Sequence, residues 1–393
     1  MSRLSAGKIF LAAICLLLSV SSMLVFSFAD EKRHSKEQTA QTNRPLNTSL
    51  NREGWQEATA GYRYSFPRDH LSHPSHKIEW WYYTGNLESK NGRRFGYQLT
   101  FFRIGVMPEP LIDSRWAVRD LFMAHFAISD IEHEQFYSFE RINRAGVGWA
   151  GASTDNYRVW NEDWEAKLEG TDHLLRASDA GFQIDLRLAS QKREVIHGIN
   201  GISQKGSSTG NASHYYSMTR LKTSGKIGID GEEFDVTGAS WMDHEFGTSF
   251  LESEQKGWDW FSIQFDDGRE LMLFQIRRAD GSIDSHSSGT LVEPDGSTSH
   301  IPFGEVTLTP LKSWSSEASG ATYPIEWRIE IPRFGLQLDA RAAFPAQELR
   351  ATESAGVIYW EGSIEVRDAR GAGGRGYLEM TGYSGQNMGE IVR

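Results

Sequence analysis

The chain has 393 residues, enough for two or more ordinary domains, and its 13 Trp, 13 Tyr and 21 Phe supply apolar area for sizeable cores. A formal net charge of −11 argues against nucleic acid as a partner. The single cysteine, Cys15, excludes a disulfide framework, and its place in an N-terminal apolar run leaves the rest of the chain without thiol chemistry.

In chain order, Arg3 and Lys8 precede an apolar run from Ile9 to Phe28, and Ser27-Phe28-Ala29 puts small residues at the positions a signal peptidase reads. Residues 1–29 are therefore expected to be an export signal. The run is long enough that an uncleaved membrane anchor is the alternative. Either way the basic flank places the remainder outside the cytoplasm, in the periplasm or on the outer face of the cytoplasmic membrane. Ile14 before Cys15 and three leucines after it do not suit lipid attachment. Residues 30–60 are polar and read as a flexible linker.

Beyond residue 60 the pattern is one of short aromatic and β-branched runs broken by turn dipeptides. Glu79 to Leu87 and Phe95 to Ile104 flank Asn91-Gly92, a two-residue hairpin signal. Phe122 to Ile128, Phe182 to Leu188 and Tyr215 to Leu221 also read as strands. Further turn signals are Asp230-Gly231, Asp267-Gly268, Asp280-Gly281 and Asp295-Gly296. The expected class is all-β, a sandwich or barrel. A weak repeat is visible: Trp80-Trp81-Tyr82-Tyr83 with Asn91-Gly92-Arg93, and Trp258-Asp259-Trp260-Phe261 with Asp267-Gly268-Arg269. It divides the chain into domains at 61–250 and 251–393.

The most unusual segment is Trp241-Met242-Asp243-His244-Glu245-Phe246-Gly247. In a strand, Trp241, Asp243 and Glu245 share one face. Two carboxylates and an indole build a poor core but a good acid, since like charge or an apolar surround raises a carboxyl pKa. A solvated strand end is the bland alternative. His214-Tyr215-Tyr216 is the second candidate; His214 and Tyr216 share a face and each offers a donor and an acceptor. His70, His73 and His76 are spaced for a zinc site only loosely, and Pro74 argues against a helix there, so no metal or other cofactor is expected. Nucleophile-elbow, P-loop and dinucleotide motifs are absent.

Phe66-Pro67-Arg68-Asp69-His70, Glu79-Trp80-Trp81-Tyr82-Tyr83-Thr84-Gly85, Trp241 to Gly247, Tyr359-Trp360-Glu361-Gly362 and Gly376 to Tyr383 together resemble the AttH-type secreted hydrolases, which are related to the carotenoid 1,2-hydratases (CrtC). The resemblance implies two consecutive lipocalin-like (calycin) antiparallel β-barrel domains. It also implies a hydratase precedent, in which an Asp protonates an isolated alkene and water captures the cation. In that branch the acid lies in a Tyr-Leu-Asp run that follows a His-x-Trp. Trp241-Met242-Asp243 and His214-Tyr215-Tyr216 occupy these places at the same separation, with the aromatics changed in type. The expected machinery is thus Asp243 as general acid, Glu245 as its tuner or as a base for water, and His214 bonded into the acid. Trp241, Tyr216, Trp80 and Trp81 would bind a lipophilic substrate of isoprenoid type. Alternatives to a hydro-lyase, or to the hydrolase of the family label, are a non-catalytic carrier of hydrophobic molecules and a partner of a lipoprotein-type envelope ABC transporter, a setting the AttH resemblance suggests.

Overall fold

The structure, a computed structural model, describes residues 54–385 except 111–113, 115, 249–250, 355, 369–370 and 372, all within one compact unit spanning Thr48–Arg393. The expected export segment and residues 30–53 of the expected linker lie outside the described residues.

The turn dipeptides do what their backbone freedom allows. Asp230 and Gly231 both take positive φ, 52° and 83°, the pairing a tight hairpin needs to match strand twist. They join Ala212–Ile229 to Glu232–Gly247. Asn91-Gly92, Asp267-Gly268 and Asp295-Gly296 likewise sit between paired strands.

The strands form two antiparallel sheets with the same wiring. In the first, the opening strand Ile78–Ser89 pairs with its successor Arg94–Gly105 and with the closing strand Glu232–Gly247. The sheet then runs through sequential neighbours to a seam between Gln135–Arg144 and Ala150–Ala152. In the second, Gln255–Phe265 pairs with Glu270–Arg278 and with the closing strand Gly373–Met380, and the seam falls between Thr298–Pro302 and Thr307–Ser315. Each opening hairpin is one copy of the Trp-rich repeat in the sequence. First strand against last curls each sheet into a lipocalin-like near-barrel around its own core. Trp81, Tyr83, Leu99, Phe126 and Met242 lie in one core, and Phe261, Ile329, Trp360 and Leu378 in the other. A third cluster, with Tyr82, Tyr215 and Trp241 from one sheet and Trp260, Met272 and Phe274 from the other, fills the joint between them.

The expected linker differs at its C-terminal end. Trp55 is 1% exposed, its indole lying over Gly105, where a Cβ would fall 2.3 Å from the ring. The Gln56 amide donates to the Ser75 carbonyl at 2.8 Å. From Gly54 onward the chain is therefore packed on the first barrel: one indole buries more than the polar residues around it lose.

Inside the first barrel, Glu79 is completely buried and fully partnered. Its carboxylate accepts from Arg103 Nε at 3.1 Å, His244 Nε2 at 2.9 Å, His73 Nδ1 at 3.0 Å and Ser72 Oγ at 2.9 Å. This knot ties the approach segment to three strands. Replacing one side of a buried ion pair strands the other in low dielectric. Arg103→Met is accordingly expected to destabilise the fold by about 3 kcal/mol, read from the urea midpoint at constant m; a midpoint within error of the parent would refute the role.

Candidate active site

Antiparallel pairing lays side chains of one face in rungs across the sheet. On the outer face of the first barrel, one rung reads Ser217, Asp243, Tyr82, Thr100, His125, and the next reads Tyr215, Glu245, Trp80, Phe102, Met123. The outer face of the second barrel supplies Phe274, Trp260, Glu379 and Glu361 in register. Between these walls lies a cavity of about 150 Å³, lined among others by Trp80, Tyr82, Phe102, Tyr215, Asp243, Trp258, Trp260 and Glu379. Trp80, Lys205, Leu251 and Trp258 are only partly buried and mark its opening.

Asp243 is 4% exposed. Its Oδ1 accepts from Trp241 Nε1 at 2.6 Å and from the Ser217 hydroxyl; its Oδ2 accepts from the Tyr215 hydroxyl at 2.8 Å. Tyr215 in turn accepts from Trp260 Nε1 at 3.0 Å, so an indole of the second barrel steadies the acid of the first. Ser217 also lies 2.6 Å from His197 Nε2, whose Nδ1 is 2.9 Å from the Thr290 hydroxyl. Burial pushes the Asp243 carboxyl up to about 7, against the three donors that hold it down, and the Glu245 charge adds to the rise. With Oδ1 held by two donors, a proton has its place on Oδ2. A carboxyl poised in this way can give a proton to a group in the cavity and take it back near neutral pH.

Glu245 is arranged differently. It accepts from the Ser213 hydroxyl and pairs with Lys205 Nζ at 3.2 Å, and that ammonium also lies 4.2 Å over the Phe274 ring. Glu245 is thus a paired carboxylate one rung from the acid.

The structure separates the remaining expected site residues. Trp241, Asp243, Glu245 and Trp80 come together at the joint. His214, Tyr216 and Trp81 do not, which corrects the expectation that His214 bonds to Asp243. Pairing register places Ser217 opposite Asp243 and Phe246 opposite His214, so the His214–Tyr216 face is the inner one. There His214 Nδ1 meets the Gly201 carbonyl at 2.9 Å, Tyr216 bonds with His70 at 2.7 Å, and Trp81 stacks 5.0 Å from His244. The residues missed are Tyr215, Ser217, His197, Trp260, Glu361 and Glu379. A signal existed for Glu379, which with Tyr377 alternates with Leu378 and Met380 in the strand Gly373–Met380.

His73 Nδ1, a Glu79 oxygen and His244 Nε2 lie close enough together for a metal ion, the one such group among the described residues. Arg103 and Ser72 already occupy that carboxylate, and both imidazoles point their nitrogens at it as hydrogen bonds. A divalent ion there would have to displace a satisfied ion pair, so the donor set fits a structural knot better than a metal centre.

The fold and the joint define a double lipocalin-like barrel protein with an apolar, acid-bearing cavity between the barrels. Residues 57–383 match the AttH-like family, and the chain belongs to it. It is similar to the crystal structure of a putative AttH from Nitrosomonas europaea, with 34% identity over 82% of this chain and 98% of that one and a TM-score of 0.76. Kievitone hydratase from Nectria haematococca shares the fold at 14% identity, covering 85% of this chain and 98% of its own, with a TM-score of 0.63. So does CghA, solved with Sch210972, at 12% identity over 86% and 98% and a TM-score of 0.52. A search of curated proteins finds no match.

The raised Asp243 carboxyl has a consequence for stability. Below the unfolded value near 3.8 both states hold the proton; between there and about 7 the folded state holds it and the unfolded state does not. Stability from this group is therefore lost as pH rises through that window, by up to about 1.4 kcal/mol per pH unit. Urea titrations across that range should show the parent losing stability relative to Asp243→Asn; parallel curves would mean that the carboxyl is already ionised throughout.

Proposed function

We propose that this protein is a hydratase-type enzyme, a hydro-lyase that adds water across a carbon–carbon double bond of a lipophilic substrate of isoprenoid type, with Asp243 as the proton donor. The observation that carries the reading is a buried carboxyl, oriented by Tyr215, Ser217 and Trp241, on the wall of an aromatic cavity. The likeness of fold to kievitone hydratase, an enzyme named for hydration, supports it. The proton on Asp243 Oδ2 passes to one alkene carbon, the π pair forming the C–H bond. The neighbouring carbon becomes cationic and water adds there through oxygen, losing a proton. The π faces of Trp80 and Trp260 stabilise the positive charge. Trp241 orients the acid through its indole N–H. Glu245 holds Lys205 at the mouth and, through its charge, helps keep Asp243 protonated. A cavity of about 150 Å³ is the size that takes a benzene-sized group, so one prenyl end enters while the rest of the substrate leaves through the opening. We further propose that the protein works after export, in the periplasm or on the outer face of the cytoplasmic membrane, where lipophilic substrates partition.

The test is turnover of a panel of prenylated phenols and linear isoprenoids in ¹⁸O-water, read by mass spectrometry as gain of one labelled water. Asp243→Asn should lower kcat by roughly 10²-fold or more with the substrate still bound. Undiminished hydration by that variant would sink the mechanism. Unchanged lipid recovered from both proteins, with no labelled product from either, would instead mark a carrier, a reading the predominantly apolar cavity also accommodates.

A further inference from the structure

Glu379 faces Asp243 across the cavity from the second barrel, and its situation is the opposite of a structural carboxylate's. Its Oε1 accepts from Trp258 Nε1 at 2.6 Å. Directly across the strand pair stands Glu361, 1% exposed, whose oxygens make no hydrogen bond of ordinary geometry and have only the Tyr82 and Tyr359 hydroxyls beside them as donors. The Tyr82 hydroxyl, on the cavity wall in the rung of Asp243, is buried and directed at Glu361. The Tyr359 hydroxyl is engaged by His125 Nδ1 at 2.8 Å. Two buried carboxyls opposite one another on adjacent strands, with no cation against either, oppose each other's ionisation. Leaving buried polar atoms poorly met costs stability that a Leu would avoid. The position makes physical sense if a proton arrives and leaves there.

We propose that Glu379 is the base that takes the proton from the attacking water, and that Glu361 behind it exchanges that proton with it. This rests on the hydratase reading and supplies the half of the reaction that Asp243 does not. Asp243 gives its proton to the alkene carbon. The water oxygen donates a lone pair to the cationic carbon, forming the C–O bond. The water's O–H bond breaks, its electron pair staying on oxygen and its proton passing to the Glu379 carboxylate. The sum is alkene plus water to alcohol, with Asp243 ionised and the glutamate pair holding one more proton. Returning that proton to Asp243 through water in the emptied cavity resets the enzyme. The charges are coupled in the direction this requires: ionised Asp243 raises the affinity of Glu379 for a proton, so donation by one acid strengthens the base opposite. The other charged and titratable groups around the cavity are Glu245, paired with Lys205, His125, which burial holds neutral down to about 4, and Tyr82, Tyr215 and Tyr359, whose hydroxyls burial keeps protonated. None of these offers a carboxylate acceptor opposite the acid. The reaction thus needs both barrels, one for the acid and one for the base.

Two measurements on the full-length protein test this. In the ¹⁸O-water assay with prenylated phenols, Glu379→Gln should lower kcat by roughly 10²-fold while leaving KM nearly unchanged, and Glu361→Gln should cause a smaller loss. In infrared titration of the protonated-carboxyl band, Glu379→Gln should remove a group that titrates near neutrality, and Asp243→Asn should shift that group's midpoint to lower pH. Full kcat in Glu379→Gln beside a dead Asp243→Asn would overturn the inference and leave the hydratase reading standing. Full turnover in Asp243→Asn would overturn that reading itself. An infrared band unaltered by Glu379→Gln would overturn the role given to the glutamate pair whatever the turnover.

Discussion

The side-chain period of two is the constraint on which the joint depends. A strand in an isolated lipocalin-like barrel buries one face and wets the other. Here every residue from Ser240 to Thr248 is buried, because the inner face closes on the first barrel's core and the outer face is covered by the second barrel. Whatever occupies the outward positions of that strand leaves water. For Trp241 this is ordinary packing. For Asp243 and Glu245 it is expensive, and the surroundings answer the two charges differently. Glu245 gains an ammonium; Asp243 gains only neutral donors. Neutral donors offset part of the desolvation without neutralising the charge, which leaves a carboxyl balanced between its two protonation states.

That balance is carried across the joint by aromatic residues that do two jobs. Trp260 adds apolar area to the wall and sends its N–H to Tyr215, whose hydroxyl reaches Asp243. Trp258 does the same for Glu379. Each indole belongs to the opening hairpin of the second barrel, the element that repeats the Trp-rich hairpin of the first. Docking two copies of one wiring scheme outer face to outer face brings two aromatic hairpins together. The cavity is the space that such bulky, rigid rings leave between them.

How much of this was legible in the sequence follows the range of the physics involved. Turn chemistry and alternation are local, so Asn91-Gly92, Asp230-Gly231 and the shared face of Trp241, Asp243 and Glu245 could be read directly. Register is not local. His214 and Tyr216 do share a face, but only the pairing of Ser217 with Asp243 reveals that it is the inner one, a single-residue change of phase that moves every side chain to the other side. Trp80 and Trp81 divide between cavity and core for the same reason. Glu361 and Glu379 stand in the sequence beside aromatic and aliphatic residues, yet the acid that Glu379 faces lies in the other barrel, and no spacing within one chain segment encodes a contact between two closed sheets. Trp55 shows the converse: a single indole in a polar stretch was enough to end the linker.

The strand that carries Asp243 outward carries His244 inward, and the contrast between the two sites separates structure from chemistry. On the inner side, Glu79 collects donors from a guanidinium, two imidazoles and a hydroxyl. These hold its carboxyl well below the ordinary range in spite of complete burial. Such a group is ionised at any working pH and has no reason to exchange a proton; its satisfied network rigidifies the barrel end. On the outer side, the donors to Asp243, Glu361 and Glu379 are all neutral, with no guanidinium or ammonium against them, and burial drives all three carboxyls upward. Had evolution needed only a stable joint, the pattern used at Glu79, whose partner His244 is the residue next to Asp243, was available. Carboxyls left without a cation, at or behind the wall of a cavity, are what remains when a fold keeps protons available for transfer.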